Sequence, residues 1–373
     1  MSVWDWKDKK IERAVRKLFR QNLCASREDK VVILSDSYKE RIGEVLFLYG
    51  SPFAGSSLHV TYPPTGRHGV EPPEVVWRGV FGAEFVEELK SKGLFDKVLR
   101  KEISEGDEVE IKEILLETTS PTELPTAVVA VNHYSVSHTL FRKLCTEFLS
   151  MRFASMPLFT PDMFYTAMQA DWSGVARLST EIASLLTDAE VARVTSPDGT
   201  EIEFSLKGRE GIADTGKLCS PGDFGNLPAG EAFIAPVEGT AEGVIVTRYA
   251  PDRELEEPVR LVVEGGRVRE VTGERAFAGF LSELIHKEKN ADNVAEFGIG
   301  TNERAVRRDN ILEAEKILGT CHIAVGDNSS FGGNVRANVH IDLLVEEPTV
   351  VLKMPGDREV KILEGGKLTL NLS

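Results

Sequence analysis

The stretch Val191-Ala192-Arg193-Val194-Thr195-Ser196-Pro197-Asp198-Gly199-Thr200-Glu201-Ile202-Glu203-Phe204-Ser205 marks where one kind of chain gives way to another. Its two arms alternate apolar and polar residues with the period of a strand that buries one face. Between them lies turn chemistry, with a proline that presets φ and a glycine that tolerates a left-handed backbone. Two short strands joined by a tight turn are expected here.

Upstream, helical and strand patterns alternate. An amphipathic helix over about 10–23 precedes the apolar run Val31-Val32-Ile33-Leu34, and a helical pattern over 37–49 precedes a strand near 59–61. A helix over 83–92, the strand Ala127-Val128-Val129-Ala130-Val131 and helices over 138–150 and 173–186 follow. That order predicts an α/β domain with an open, mostly parallel sheet. Neither a G-x-G-x-x-G after a strand nor a G-x-x-x-x-G-K-[ST] is present, so the sheet carries no nucleotide signature. Downstream, short strands at 231–234, 243–246 and 259–263 and a final pair around Gly365-Gly366 are interrupted by one helix over about 303–318. The expected division is therefore an α/β domain over 1–188 and an α+β, β-rich domain over 189–373.

The 373 residues, 42% hydrophobic, suffice for two cores. With 44 Lys and Arg against 59 Asp and Glu, the net charge of −15 argues against nucleic acid or an anionic membrane as partner. Cys24, Cys145, Cys219 and Cys321 lie far apart without a C-x-x-C, which suggests neither a disulfide scaffold nor a cysteine zinc site and fits a reducing cytoplasm. The opening Met1-Ser2-Val3-Trp4-Asp5-Trp6-Lys7 lacks the apolar core of a signal peptide, and no later stretch is long enough to span a membrane.

Chemistry concentrates in the second half. Cys321-His322-Ile323-Ala324-Val325-Gly326 and Asn338-Val339-His340-Ile341-Asp342 read as strands, so His340 and Asp342 project together while Val339, Ile341 and Leu343 face the other way. Glu231, after Leu227-Pro228-Ala229-Gly230, and Glu296, between Ala295 and Phe297, add two carboxylates. An acidic residue with apolar neighbours is costly to bury unless paired or metal-bound. Three carboxylates and two imidazoles suit two divalent ions that share a bridging carboxylate and leave positions open for water and substrate. Zinc, cobalt, manganese and iron all accept such ligands.

The order Leu-Pro-x-x-Glu, Glu-x-Gly-x-Gly-x-Asn, His-Ile-Ala-x-Gly and His-x-Asp resembles the aminopeptidase T and aminopeptidase S family of metallopeptidases. Ser137-His138-Thr139, Arg152-Phe153-Ala154-Ser155-Met156-Pro157 and Lys207-Gly208-Arg209 are similar to that family as well. The resemblance implies a two-domain homodimer with an enclosed active site that removes N-terminal residues from peptides by two-metal activation of water. Its ligands map onto Glu231, Glu296, His322, His340 and Asp342, with Glu231 as the candidate proton acceptor. One departure stands out: the family's tyrosine, seven residues after the first histidine, is Ser329 here, and the nearest aromatic, Phe331, has no hydroxyl to offer an oxyanion. Two alternatives therefore stay open, an amidase for another small amide and a catalytically weak or inactive dimeric metal-binding homologue.

Other residues invite plainer expectations. Asp327, beside the His322 segment, is a candidate carboxylate for orienting a metal-bound imidazole. His138 and Arg152 read as packing or interface residues, and His59, His68 and His286 as surface residues. Cys321 points away from His322 and reads as a small core residue. The charges Glu303-Arg304, Arg307-Arg308 and Glu313-Glu315-Lys316 read as a solvated helix face.

Overall fold

The strand Ala127–Val131 is buried at every residue, and its uninterrupted apolar run is what a strand covered on both faces requires. It sits at the centre of a five-stranded parallel sheet ordered Ser56–Tyr62, Lys30–Asp36, Ala127–Val131, Arg152–Ser155, Phe224–Asn226. The computed structural model describes residues 6–370, so most of the opening stretch read for a signal peptide, residues 1–5, lies outside it. Helices Glu74–Phe81, Ala83–Ser91, Leu94–Arg100 and Glu105–Thr118 cover the sheet through an aromatic cluster in which Trp77 contacts Phe81, Phe85, Phe95 and Phe141. The last of these helices begins with a capping box between Ser104 and Asp107. Arg152 is buried and pairs with Asp29, the structural role expected of it.

The described residues divide into two compact units, one up to Gln169 together with Gly216–Pro228, the other Ala170–Thr215 with the residues after Pro228. This corrects the expected boundary at 188. Helix Trp172–Asp188 buries Leu178, Ile182, Ala183 and Leu186 in the second core, so the break falls before it. The segment 216–228 returns to the first unit as the fifth strand of its sheet.

That return also brings together two of the four cysteines, whose spacing suggests no disulfide scaffold. Asn22 donates from Nδ2 to the carbonyl of Gly216 at 2.7 Å, and its own carbonyl accepts from the amide of Leu218 at 2.6 Å. These bonds bring together Cys24 and Cys219, which form a disulfide across 195 residues. Cysteine spacing is blind to such a pair because the contact depends on a strand joining a sheet built from distant sequence. Cys145 and Cys321 are free and buried.

In the second unit an eight-stranded antiparallel sheet and a five-stranded antiparallel sheet share one core. The strands Val191–Thr195 and Glu201–Ser205 pair antiparallel around the Pro-Asp-Gly turn, as their alternation requires. The smaller sheet runs His340–Val345, Cys321–Gly326, Val294–Gly300, Glu231–Ile234, Ile212–Asp214. Helix Arg275–Lys287, which buries Phe277, Ala278 and Leu281, was not anticipated. Conversely, the helix expected over 303–318 shrinks to Ile311–Ala314. Glu313, buried, accepts the backbone amides of Val306 and Arg307 at 2.8 and 3.4 Å, and this side-chain competition holds the segment as a loop. No helix among the described residues is long and apolar enough to cross a membrane.

Under denaturing, non-reducing conditions two of the four cysteines should react with a thiol reagent, and all four after reduction. Reactivity of all four before reduction would contradict the pairing of Cys24 with Cys219. Loss of so long a cross-link should lower stability by about 2–4 kcal/mol, read as a lower midpoint in chemical denaturation of Cys24→Ser.

Candidate metal centre

Strand alternation alone sorts the smaller sheet into a core face and a chemical face. Ala232, Ile234, Phe297, Ile299, Cys321, Ile323, Val325, Leu343 and Val345 enter the core, as expected for Cys321. Their neighbours Glu231, Glu296, His322, His340 and Asp342 therefore lie on the opposite face, spread over four adjacent strands. Register brings them together: Gly298 faces His322 and Ala324 faces Asp342 across the ladder.

Small residues between the ligands make the room. A Cβ at Gly298 would fall 2.2 Å from the Cε1 and Nε2 atoms of His322, so only glycine lets the imidazole lie across that strand. A Cβ at Gly300 would meet the carbonyl of Ile317 at 2.1 Å, and its absence lets residues 316–317 run against the sheet. The Glu-x-Gly-x-Gly spacing thus has a steric meaning at both glycines.

The five expected side chains converge. His322 Nε2 lies 3.2 Å from Glu296 Oε1 and 3.4 Å from Glu231 Oε2; His340 Nε2 lies 3.4 Å from Glu296 Oε2 and 3.4 Å from Asp342 Oδ1. Donor atoms about 3.0–3.4 Å apart are what octahedral or tetrahedral ligands at about 2.1 Å from one ion present to each other. Two groups of three whose ligand atoms lie within 4.8 Å share Glu296: one adds Glu231 and His322, the other His340 and Asp342. A third such group joins Glu315, His322 and Asp342. Glu231 Oε2 and His322 Nδ1 are buried without a hydrogen-bond partner, and the carboxylate oxygen, 3.4 Å from His322 Nε2, is polar capacity that a cation or water would use. The donor set and its orphaned atoms fit a divalent ion.

His340 is oriented by its other ring nitrogen, Nδ1, which lies 2.8 Å from the backbone carbonyl of Asp327. Asp327 was expected to act through its carboxylate; that group instead accepts from the amide and hydroxyl of Ser329 and the amide of Ala337. Ser329 is exposed and tied to Asp327, while the edge of Phe331 meets His340 with ring centroids 5.8 Å apart and Phe233 at 5.7 Å. The loop bearing Phe331 is pinned by Glu238, which accepts from Asn328 Nδ2 at 3.0 Å and the amide of Asn334 at 2.8 Å and pairs with Arg209.

Lys316 is the largest surprise. Read as part of a solvated helix face, it is only 1% exposed, and Glu313 and Glu315 are buried with it. Its Nζ lies 2.5 Å from Glu231 Oε1, 2.8 Å from Glu315 Oε1 and 3.5 Å from Asp214 Oδ2. The misreading has a clear source, since a helical pattern was assumed where the backbone forms a loop against Gly300. Asp214 was likewise missed; it sits opposite Glu231 in the register of an edge strand only three residues long.

These contacts set the protonation of the cluster. Burial disfavours a charged imidazole, but Glu296, Glu231 and Asp342 more than reverse it and raise His322 to about 9. His340 is likewise raised well above its ordinary value by Asp342 and Glu296 against the same burial. Burial raises Glu231 to about 8 despite Lys316, whereas Glu296 is held below its ordinary value by the two imidazoles.

A sequence model of the family described as NicX, 2,5-dihydroxypyridine 5,6-dioxygenase, matches residues 168–369, more than half of the chain. Among solved structures, a 2,5-dihydroxypyridine dioxygenase from Pseudomonas putida KT2440 is 16% identical with a TM-score of 0.66, covering 97% of this chain and 96% of that one. Wild-type AmpT from Thermus thermophilus is 16% identical with a TM-score of 0.63, covering 97% and 99%. At this identity both show the fold, an α/β domain with a parallel sheet followed by an antiparallel β-rich domain. No curated protein matches the sequence.

Two outcomes follow from the geometry. Because the imidazoles hold protons without a metal, uptake of a divalent ion at pH 7 should release protons and strengthen as pH rises toward 9, measured by calorimetry in buffers of different ionisation enthalpy. Uptake with no proton release would contradict the charged pairing of His322 and His340 with Glu296. Gly298→Ala should weaken metal binding by about 10–100-fold, the usual cost of disturbing what orients a ligand, and should leave the cooperative unfolding transition in place.

Proposed function

Because this chain belongs to the family described as NicX, 2,5-dihydroxypyridine 5,6-dioxygenase, we propose that it is a metal-dependent oxygenase that opens an electron-rich dihydroxylated nitrogen heteroaromatic ring. The observation that carries this reading is the placement of two imidazoles, His322 and His340, on either side of Glu296 with Asp342 against His340. Two histidines with carboxylate and open positions form the donor set of non-haem iron oxygenases. Bound there, iron(II) would supply the redox-active centre at which dioxygen and a chelating hydroxylated ring can meet.

The chain's own residues supply the rest. His340 and Asp342 project from one strand, and the carbonyl of Asp327 fixes the ring so that Nε2 faces the carboxylates. Phe331 stands T-shaped against His340 and Phe233 packs T-shaped against Phe331, an aromatic wall suited to a flat aromatic substrate. The peptidase tyrosine position, Ser329, is bonded to Asp327 and offers no donor toward the ligands. That absence removes a donor that peptide hydrolysis would use for its tetrahedral oxyanion.

A two-ion aminopeptidase is the second reading. It is favoured by the sharing of Glu296 between two three-ligand groups, the arrangement a bridging carboxylate would adopt. Peptide hydrolysis would then use Glu231 as proton acceptor, with zinc, cobalt or manganese in place of iron.

Protein reconstituted anaerobically with iron(II) and then given 2,5-dihydroxypyridine and air should consume one dioxygen per ring opened, with loss of the aromatic absorbance. His340→Ala should abolish the reaction. Release of amino acids from a peptide mixture, with no oxygen uptake on the dihydroxypyridine, would overturn the oxygenase reading in favour of the peptidase.

A further inference from the structure

We propose that the ammonium group of Lys316 occupies the second cation position of this cluster, so that the five-ligand set takes one divalent ion and Glu231 is held by lysine rather than by metal. The inference rests on the metal-centre reading of the site and not on which reaction the ion supports.

The geometry around Lys316 is that of a ligated cation. Three carboxylates from three separate segments, Glu231, Glu315 and Asp214, surround an Nζ that is almost wholly removed from solvent. A lysine is rarely buried unless paired, and three acidic partners exceed what pairing alone requires. The same Glu231 supplies, through its other oxygen, one corner of the group with Glu296 and His322. A divalent ion bound there would share its carboxylate with a fixed positive charge and be repelled by it. Lys316 acts on the group of Glu296, His340 and Asp342 only through Asp342, and less than His340 and His322 do, which leaves that group, with His322 against Glu296, for metal.

Backbone contacts show that the lysine is built in. The carbonyl of Lys316 accepts from the amide of Asn302 at 2.9 Å, and the carbonyl of Asn302 accepts from the amide of Leu318 at 3.2 Å. Gly300 permits this approach, because any Cβ there would strike the carbonyl of Ile317. The sequence therefore commits two positions, Gly300 and Lys316, to placing one ammonium group among the ligands. Lys316 is in this account a positioning residue for Glu231 and a determinant of metal number.

The test uses the full-length protein and cobalt(II) as probe, with ions per chain counted by native mass spectrometry and elemental analysis. Visible absorption of the bound cobalt reports its coordination. Wild-type protein should bind one ion and show no second binding step up to a hundredfold higher free cobalt. Lys316→Met should bind two, with a changed spectrum, and Lys316→Met combined with Glu231→Gln should return to one. Two ions in the wild type, or a single ion in a folded Lys316→Met protein, would overturn the proposal. Should Lys316→Met fail to fold without metal, the wild-type titration still decides, since a second ion binding within that range is itself the contrary result. Failure of ring opening together with a stoichiometry of one would leave this inference standing and remove only the oxygenase reading.

Discussion

The structure of the second unit depends on one constraint: five carboxylates must be kept away from bulk water on one face of a sheet whose other face is the main core. Glu231, Glu296 and Glu315 are buried, and Asp214 and Asp342 lie beside them. An ionised carboxylate in such a place costs several kcal/mol unless it is paired, and removing one partner of a buried pair typically costs about 3–5 kcal/mol. His322, His340 and Lys316 are the partners that make the arrangement tolerable. Those same pairings put two imidazoles and a set of carboxylate oxygens at the spacing of metal ligands, so the solution to a folding problem and the candidate metal centre are one arrangement.

The centre needs little beyond the sheet. Side-chain alternation sends the ligands one way and the core the other, register aligns them, and Gly298 removes the atoms that would have filled the gap. Loops add only orientation, through the Asp327 carbonyl and the Glu238 anchor of the segment carrying Phe331. Building the ligands on strands rather than loops keeps their separation fixed, which matters more for an ion than for a flexible substrate.

How much of this could be read from the chain follows the range of the interactions involved. Strand alternation is local, so the faces of His322, His340 and Cys321 and the hairpin around Pro197 were legible. The convergence of Glu231, Glu296, His322, His340 and Asp342 was legible only through the ordered set of motifs. Lys316 was not legible, because its charge pattern resembles an exposed helix and nothing local reveals that Glu313 ties its segment into a loop. Nor was the Cys24 to Cys219 disulfide, which depends on the segment 216–228 crossing back to the first unit. The motif order left the chemistry open: the resemblance to metallo-aminopeptidases pointed to the candidate ligands, while the family match is to a 2,5-dihydroxypyridine 5,6-dioxygenase. A donor set on a shared fold does not by itself choose the reaction.

The chemistry of this sheet face is decided by where the ion binds. Anomalous diffraction from crystals of the iron- or cobalt-loaded protein measures this directly. One peak is expected, about 2.0–2.3 Å from the Nε2 atoms of His322 and His340 and from an oxygen of Asp342 or Glu296. Two peaks bridged by Glu296, or a peak away from this face of the sheet, would contradict it.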